Sequence, residues 1–216
     1  MNGEPLFIER HLTRLKNSLK FFGIEKEISE EKIYNYINNL EEKNFALKLI
    51  VSDENFILTS RADNYIGKND SFSLKISNVK RNSTSKIIYH KSLCYYENIL
   101  EHRWAVDSGY DTALFLNERE EVSETSFANI FFVKNDKIYT PEISSGLLRG
   151  TMRDFLLENF EIIEEKIYAK DLDKFDECFI SNSLIGVRNV TSIDDVKFCG
   201  TEKTRTIQEK LKIYGF

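Results

Sequence analysis

Residues Glu120–Asp154, EEVSETSFANIFFVKNDKIYTPEISSGLLRGTMRD, join three chemical devices at fixed spacing in one short run. A carboxylate, Glu124, precedes Asn129. A β-hairpin pattern follows over Asn129–Lys134 and Lys137–Thr140, and a glycine-rich stretch then enters a helix at Gly150. A hairpin set between an acidic group and a helix N-terminus can hold a flat, phosphorylated cofactor at both ends. The carboxylate would face a ring nitrogen, and free backbone amides would face the phosphate.

Working outward, Ile8, Leu12, Leu15, Leu19 and Phe22 recur at helical spacing, so Phe7–Phe22 is expected as an amphipathic helix stopped by Gly23. A second helix should begin near the N-cap Ser29, with Ile33, Ile37 and Leu40 on one face. Phe45–Val51 and Asn55–Thr59 read as strands about the turn Ser52-Asp53-Glu54, and Ser71–Ser77 as a third strand of the same small unit. Helical periodicity returns over Leu93–Val106. Beyond Gly109 the chain is rich in strands: Thr112–Leu116, the hairpin above, Glu161–Tyr168, Glu177–Ser181 and Val187–Ser192. Helices over Arg149–Asn159 and Thr201–Lys212 complete the pattern. The expected architecture is α+β, with a small N-terminal domain over residues 1–85 and a larger β-rich domain over 86–216.

At 216 residues and 41% hydrophobic content, the chain can bury a real core. Its net charge of −5, with no basic run or aromatic-interleaved Lys/Arg stripe, argues against nucleic acid as a partner. No apolar stretch approaches the roughly 20 residues that a membrane helix needs, and MNGEPLFIERH lacks the basic-then-apolar pattern of a signal peptide. A cytoplasmic protein that avoids membranes is the expectation. The three cysteines, Cys94, Cys178 and Cys199, are odd in number and scattered, which fits reduced thiols better than disulfides or a metal site. The histidines share no metal-ligand spacing, so no metal is expected.

Four separated segments carry a resemblance. The run Glu124-Thr125-Ser126 to Asn129-Ile130-Phe131, with Thr140-Pro141, Gly146-Leu147-Leu148, Gly150 and Arg153, resembles the signature of the class IV aminotransferases, the pyridoxal-phosphate enzymes of fold type IV. His11-Leu12-Thr13-Arg14-Leu15 followed by Ser18 is similar to the family's N-terminal HxxRLxxS segment. Tyr89-His90-Lys91-Ser92-Leu93 resembles the segment bearing its Schiff-base lysine. Phe179 to Val187 resembles the cofactor-facing loop, in the form typical of aminodeoxychorismate lyases.

The resemblance implies a small α/β domain and a barrel-like domain with pyridoxal 5'-phosphate in the cleft between them. It implies Lys91 as the catalytic amine, since Lys is the residue whose pKa falls readily on burial. Glu124 is implied at the pyridine nitrogen, with Arg14, Gly150, Thr151 and the amide of Met152 at the phosphate and helix start. Asn182 and Ser183 are implied near the phosphate or the substrate carboxylate, and Asn129 as a cofactor-side residue that also braces the turn. Tyr95 or Tyr96 could wall the cofactor, while His11 supports the helix of Arg14. Cys94 stands where relatives commonly have Asn, Met152 where many have Thr, and Arg119-Glu120-Glu121 replaces an expected Asp-Gly turn. The chain also begins almost at the HxxRL segment, where relatives usually carry further strands. By resemblance the protein is a homodimer acting on a small amino substrate. The loop form favours 4-aminobenzoate-forming lyase chemistry. A branched-chain or D-amino acid aminotransferase using the same residues remains open, as does a cofactor-binding protein without the ancestral reaction.

Overall fold

A computed structural model describes residues 5–41, 44–63, 65 and 70–215. The start of the N-terminal stretch read above for a leader lies outside them. Ile8–Phe22 forms α1 and ends as expected. Gly23 adopts φ +69°, and the N–H of Ile24 reaches back to the Leu19 carbonyl at 2.9 Å. Glu30–Asn38 forms α2, capped by Ser29, whose hydroxyl accepts from the Lys32 amide at 3.2 Å. Strands β1 (Phe45–Val51) and β2 (Phe56–Ala62) make an antiparallel pair. Leu12, Ile33 and Ile37 from the two helices pack on this pair, against Leu47, Leu49 and Leu58 among others.

The third strand departs from expectation. Phe72–Ile76, β3, does not join β1 and β2. It lies inside a nine-stranded sheet built with β4 (Thr112–Leu116), β5 (Val122–Thr125), β6 (Asn129–Lys134), β7 (Lys137–Pro141), β8 (Ile162–Glu165), β9 (Glu177–Asn182), β10 (Gly186–Ile193) and β11 (Val196–Lys197). The order is β5-β4-β3-β10-β9-β6-β7-β8, with β11 on β10. Since β3 pairs in parallel with both β10 and β4, its neighbours come from far along the chain, which local periodicity cannot reveal. The β5 strand is only 4 residues long.

The sheet curls until its ends meet. The Val122 N–H donates to the Ile167 carbonyl at 2.7 Å, and Glu121 bridges to Tyr168 just beyond β8. Both faces of the sheet are buried along β4, β6 and β9. Along β6, Ile130 and Phe132 point into the concave core with Leu74, Leu114 and Ile180. Phe131 and Val133 point outward, under helices α4 (Thr151–Asn159) and α5 (Glu202–Leu211). Such a strand reads as continuous rather than alternating hydrophobicity. Phe131 and Phe179, directly opposite in register, stack with centroids 4.8 Å apart. The remaining helix, α3 (Tyr96–Asp107), follows the Lys91 loop and begins three residues later than its periodicity suggested. Among the described residues no helix is long and apolar enough to cross a membrane.

Candidate active site

A cavity of about 990 Å³ opens between the α1/α2/β1/β2 unit and the curled sheet. Arg14, Lys91, Glu124, Asn129, Gly150, Thr151, Met152, Asn182 and Ser183 all line it, although they come from six separate stretches of chain.

Glu124 sits on β5 with its side chain only 13% exposed. The Leu148 N–H donates to its Oε2 at 3.1 Å, and Arg81 Nη2 stands 3.5 Å from Oε1. Burial outweighs these partners and the nearby Lys91, raising the carboxyl to about 7. Arg81, 7% exposed, is fixed by Glu97 and by the ring of Phe115, whose centroid lies 3.8 Å from its guanidinium carbon. Nothing in the sequence near Arg81 marks this role.

Lys91 lies in the loop before α3, exposed to solvent and bordering the cavity. Burial lowers its ammonium first, and Arg14 and Lys48 lower it further, against an opposing pull from Glu124. Its Nζ stands 4.7 Å from the ring centroid of Tyr95. Tyr95 is locked by a hydrogen bond from its hydroxyl to the Ser126 carbonyl, which Asn98 Nδ2 also meets at 2.8 Å. Of the two tyrosines considered, Tyr95 lines the cavity, whereas Tyr96 is 66% exposed and faces away from it.

At the opposite corner α4 starts at Thr151 with Gly150 as N-cap, which supplies no side chain to the first turn. An anion there meets open N–H groups and the positive end of the helix, an effect of about 0.3–2 kcal/mol. Arg14 and His11 on α1 overlook this start, with His11 Nε2 3.5 Å from Thr151 Oγ1. Burial and the adjacent Arg14 hold His11 down at about 4, so it is neutral near pH 7. Met152 is 1% exposed and turned into the outer core, so only its backbone faces the cavity. Arg153 belongs to the sequence motif but also turns inward, donating to the Pro141 carbonyl and to Glu164.

Asn129 directs its amide Nδ2 to the Leu148 carbonyl at 2.9 Å. A Cβ on Gly150 would stand 2.1 Å from its Oδ1. Gly150→Ala is therefore expected to cost about 1–3 kcal/mol by overpacking and to weaken anion binding at α4. Urea denaturation and a phosphate titration check this together, and an unchanged midpoint would refute the clash. Asn182 likewise braces its own loop: Nδ2 donates to the Phe127 carbonyl at 3.1 Å, and Oδ1 accepts from the amides of Leu184 and Ile185. Sequence reasoning passed over Ser181, whose fully buried Oγ has no hydrogen-bond partner among the described residues and which borders the cavity. It pairs with Asn129 across β6 and β9, a register visible only in the folded sheet.

Pyridoxal phosphate fits this donor set. A carboxylate raised by burial suits a cationic ring nitrogen, an amine lowered by burial suits attachment to an aldehyde, and an uncapped helix start with Arg14 and the orphaned Ser181 hydroxyl suits a phosphate.

The sequence model of the amino-transferase class IV family matches residues 1–193. Aminodeoxychorismate lyase of Bacillus subtilis is 26% identical over 221 residues, covering 91% of this chain and 75% of the relative. A Rickettsia bellii protein, provisionally named a branched-chain-amino-acid aminotransferase, is 27% identical over 217 residues, covering 89% of this chain and 75% of its own length. A Legionella pneumophila crystal structure with a provisional 4-amino-4-deoxychorismate lyase name superposes with a TM-score of 0.85 at 27% identity, covering 98% of this chain and 87% of that one. The expected α+β, fold type IV architecture is the one observed.

Proposed function

The chain belongs to the class IV aminotransferase family, whose members are pyridoxal-phosphate-dependent enzymes. From that premise we propose that it converts 4-amino-4-deoxychorismate to 4-aminobenzoate and pyruvate. The carrying observation is that one cavity unites an amine lowered by burial, a carboxylate raised to about 7 and an uncapped helix start. The lyase names of the Bacillus and Legionella proteins and the Asn182-Ser183-Leu184 loop support this reaction over its alternative. That alternative, amino-group transfer from an amino acid, is supported by the Rickettsia relative at nearly equal identity.

In this reading Glu124 would hold the cofactor's ring nitrogen, Lys91 would link to its aldehyde, and Arg14, Thr151, Ser181 and the first amides of α4 would hold its phosphate. When bound, pyridoxal phosphate supplies an electron sink for the substrate carbon bearing the amine. Lys91 Nζ, neutral for part of the time, takes the proton from that carbon. Breaking the C–O bond would then carry the electron pair away on enolpyruvate, leaving the substrate ring aromatic, and the enolate would take up a proton to become pyruvate. Tyr95, pinned by Ser126, keeps the amine from swinging out of the cavity.

We further propose a cytoplasmic homodimer of a small N-terminal and a larger domain; β3, within the expected 1–85 span, sits in the larger sheet. An exposed apolar patch beside the Lys91 loop supports dimerisation: Phe21, Phe22, Leu93, Tyr96 and Leu100 are 37–70% exposed, and Phe21 stacks on His90 at 3.9 Å. Cofactor-loaded protein should form 4-aminobenzoate from 4-amino-4-deoxychorismate far faster than it transfers amino groups from D- or L-amino acids to 2-oxoglutarate. Transfer without 4-aminobenzoate would select the transaminase reading, and neither activity would refute both.

A further inference from the structure

We propose that Arg188 binds a carboxylate of the substrate, making the cavity selective for amino substrates that carry an acidic group besides the phosphate-anchored cofactor. This rests on the cavity being the amine-processing site argued above. Arg188 lies on β10, is 8% exposed, and borders the cavity. Among the described residues its guanidinium meets only neutral acceptors: Nη1 donates to the Val187 carbonyl at 3.0 Å and Nη2 to the Tyr65 carbonyl at 3.2 Å.

Among the described residues no carboxylate comes within ion-pair distance of Arg188. Asp63 and Asp70 act on it only through longer-range attraction, and Asp63 Oδ1 already accepts the Tyr65 N–H at 2.9 Å. A buried charge without a counter-ion is costly, and the planar fork of arginine matches a carboxylate with two parallel hydrogen bonds. An anion entering from the cavity would relieve that cost.

The sheet register separates this point from the phosphate corner. Asn129, Ser181 and Val187 are aligned across β6, β9 and β10, and Asn129 abuts Gly150. Arg188 pairs with Ile180 and so projects from the opposite face of the strand. A ligand anion at Arg188 is thus a second one, apart from the phosphate.

Calorimetric titration of the cofactor-loaded protein with isophthalate and with 3-carbamoylbenzoate, ligands alike in shape but differing by one carboxylate, tests the assignment. The wild-type protein should prefer isophthalate by about tenfold or more. Arg188→Gln should lose the preference and Arg188→Lys should keep part of it, with cofactor uptake unchanged in both. Should Arg188→Gln not fold, Arg188→Met, which keeps the packed stem, takes its place. Equal binding of the two ligands by wild-type protein, or a preference that survives Arg188→Gln, would overturn the proposal. Failure to take up pyridoxal phosphate, seen as absent visible absorbance, would instead strike the cofactor reading. The same titration on cofactor-free protein then still decides Arg188.

Discussion

Replacing Lys91 by alanine is expected to cut turnover by about 10⁴-fold or more, because in the proposed reaction one nitrogen would serve both as the cofactor's attachment point and as the proton acceptor. The environment of Lys91 fits both duties. Burial, Arg14 and Lys48 all disfavour its charged form, and Glu124 alone opposes them. A neutral amine can attack an aldehyde and accept a proton, whereas an ammonium can do neither. Lys91→Arg separates charge from basicity, since a guanidinium in that loop stays protonated. It should be as inactive as the alanine variant. Steady-state rates and the visible absorbance of the linked cofactor provide the measurement. An alanine variant retaining a tenth of wild-type turnover would show that another base acts.

Glu124→Gln should lower turnover by about 10²–10³, the usual scale for removing one preorganised charged partner from a dry site. Its effect on stability has a sign that can be read separately. Burial raises the carboxyl from its ordinary 4.5 to about 7, so the folded protein binds this proton more tightly than the unfolded chain does. Cofactor-free protein is therefore expected to lose stability as pH rises from about 4.5 through 7, by on the order of 3 kcal/mol from this group alone. His11 works in the other direction. It is held at about 4 against an ordinary 6.5, so its contribution is present at neutral pH and is lost as pH falls from 6.5 toward 4. Glu124→Gln removes the first effect and keeps the second. Melting temperatures of both proteins between pH 5 and pH 8 should diverge in favour of the variant as pH rises. Parallel curves would refute the raised carboxyl.

Much of the cavity's lining was readable in the sequence because its parts lie next to strong local signals. Gly150 precedes a helix with an amphipathic pattern, and Glu124 leads a hairpin whose apolar run is continuous. Gly23 and Ser29 announced their helix ends through φ and side-chain chemistry alone. The failures concern pairings between distant segments. Strand β3 carries the same alternation whether it joins β2 or slots between β4 and β10, and only the parallel register distinguishes the two. Ser181 and Arg188 reach the cavity through sheet geometry, and Arg81 meets it only through its ion pair with Glu124, so their spacing from Lys91 or Glu124 in the chain says nothing of their place. Tyr95 and Tyr96 differ by a single step at the start of α3, which turns one inward and leaves the other in water.

The contact of Val122 with Ile167 makes a hoop of what would otherwise be a ribbon with two loose margins. Glu124, two residues along from that clasp, consequently rides on a stave gripped from either side, and cannot drift without springing the whole cask. Tinkering by descent is then channelled to the residues around the mouth, where Ser183 and Leu184 can be exchanged without disturbing the staves. Deuterium should accordingly invade the Val122 amide among the last in the molecule, long after the rim has exchanged.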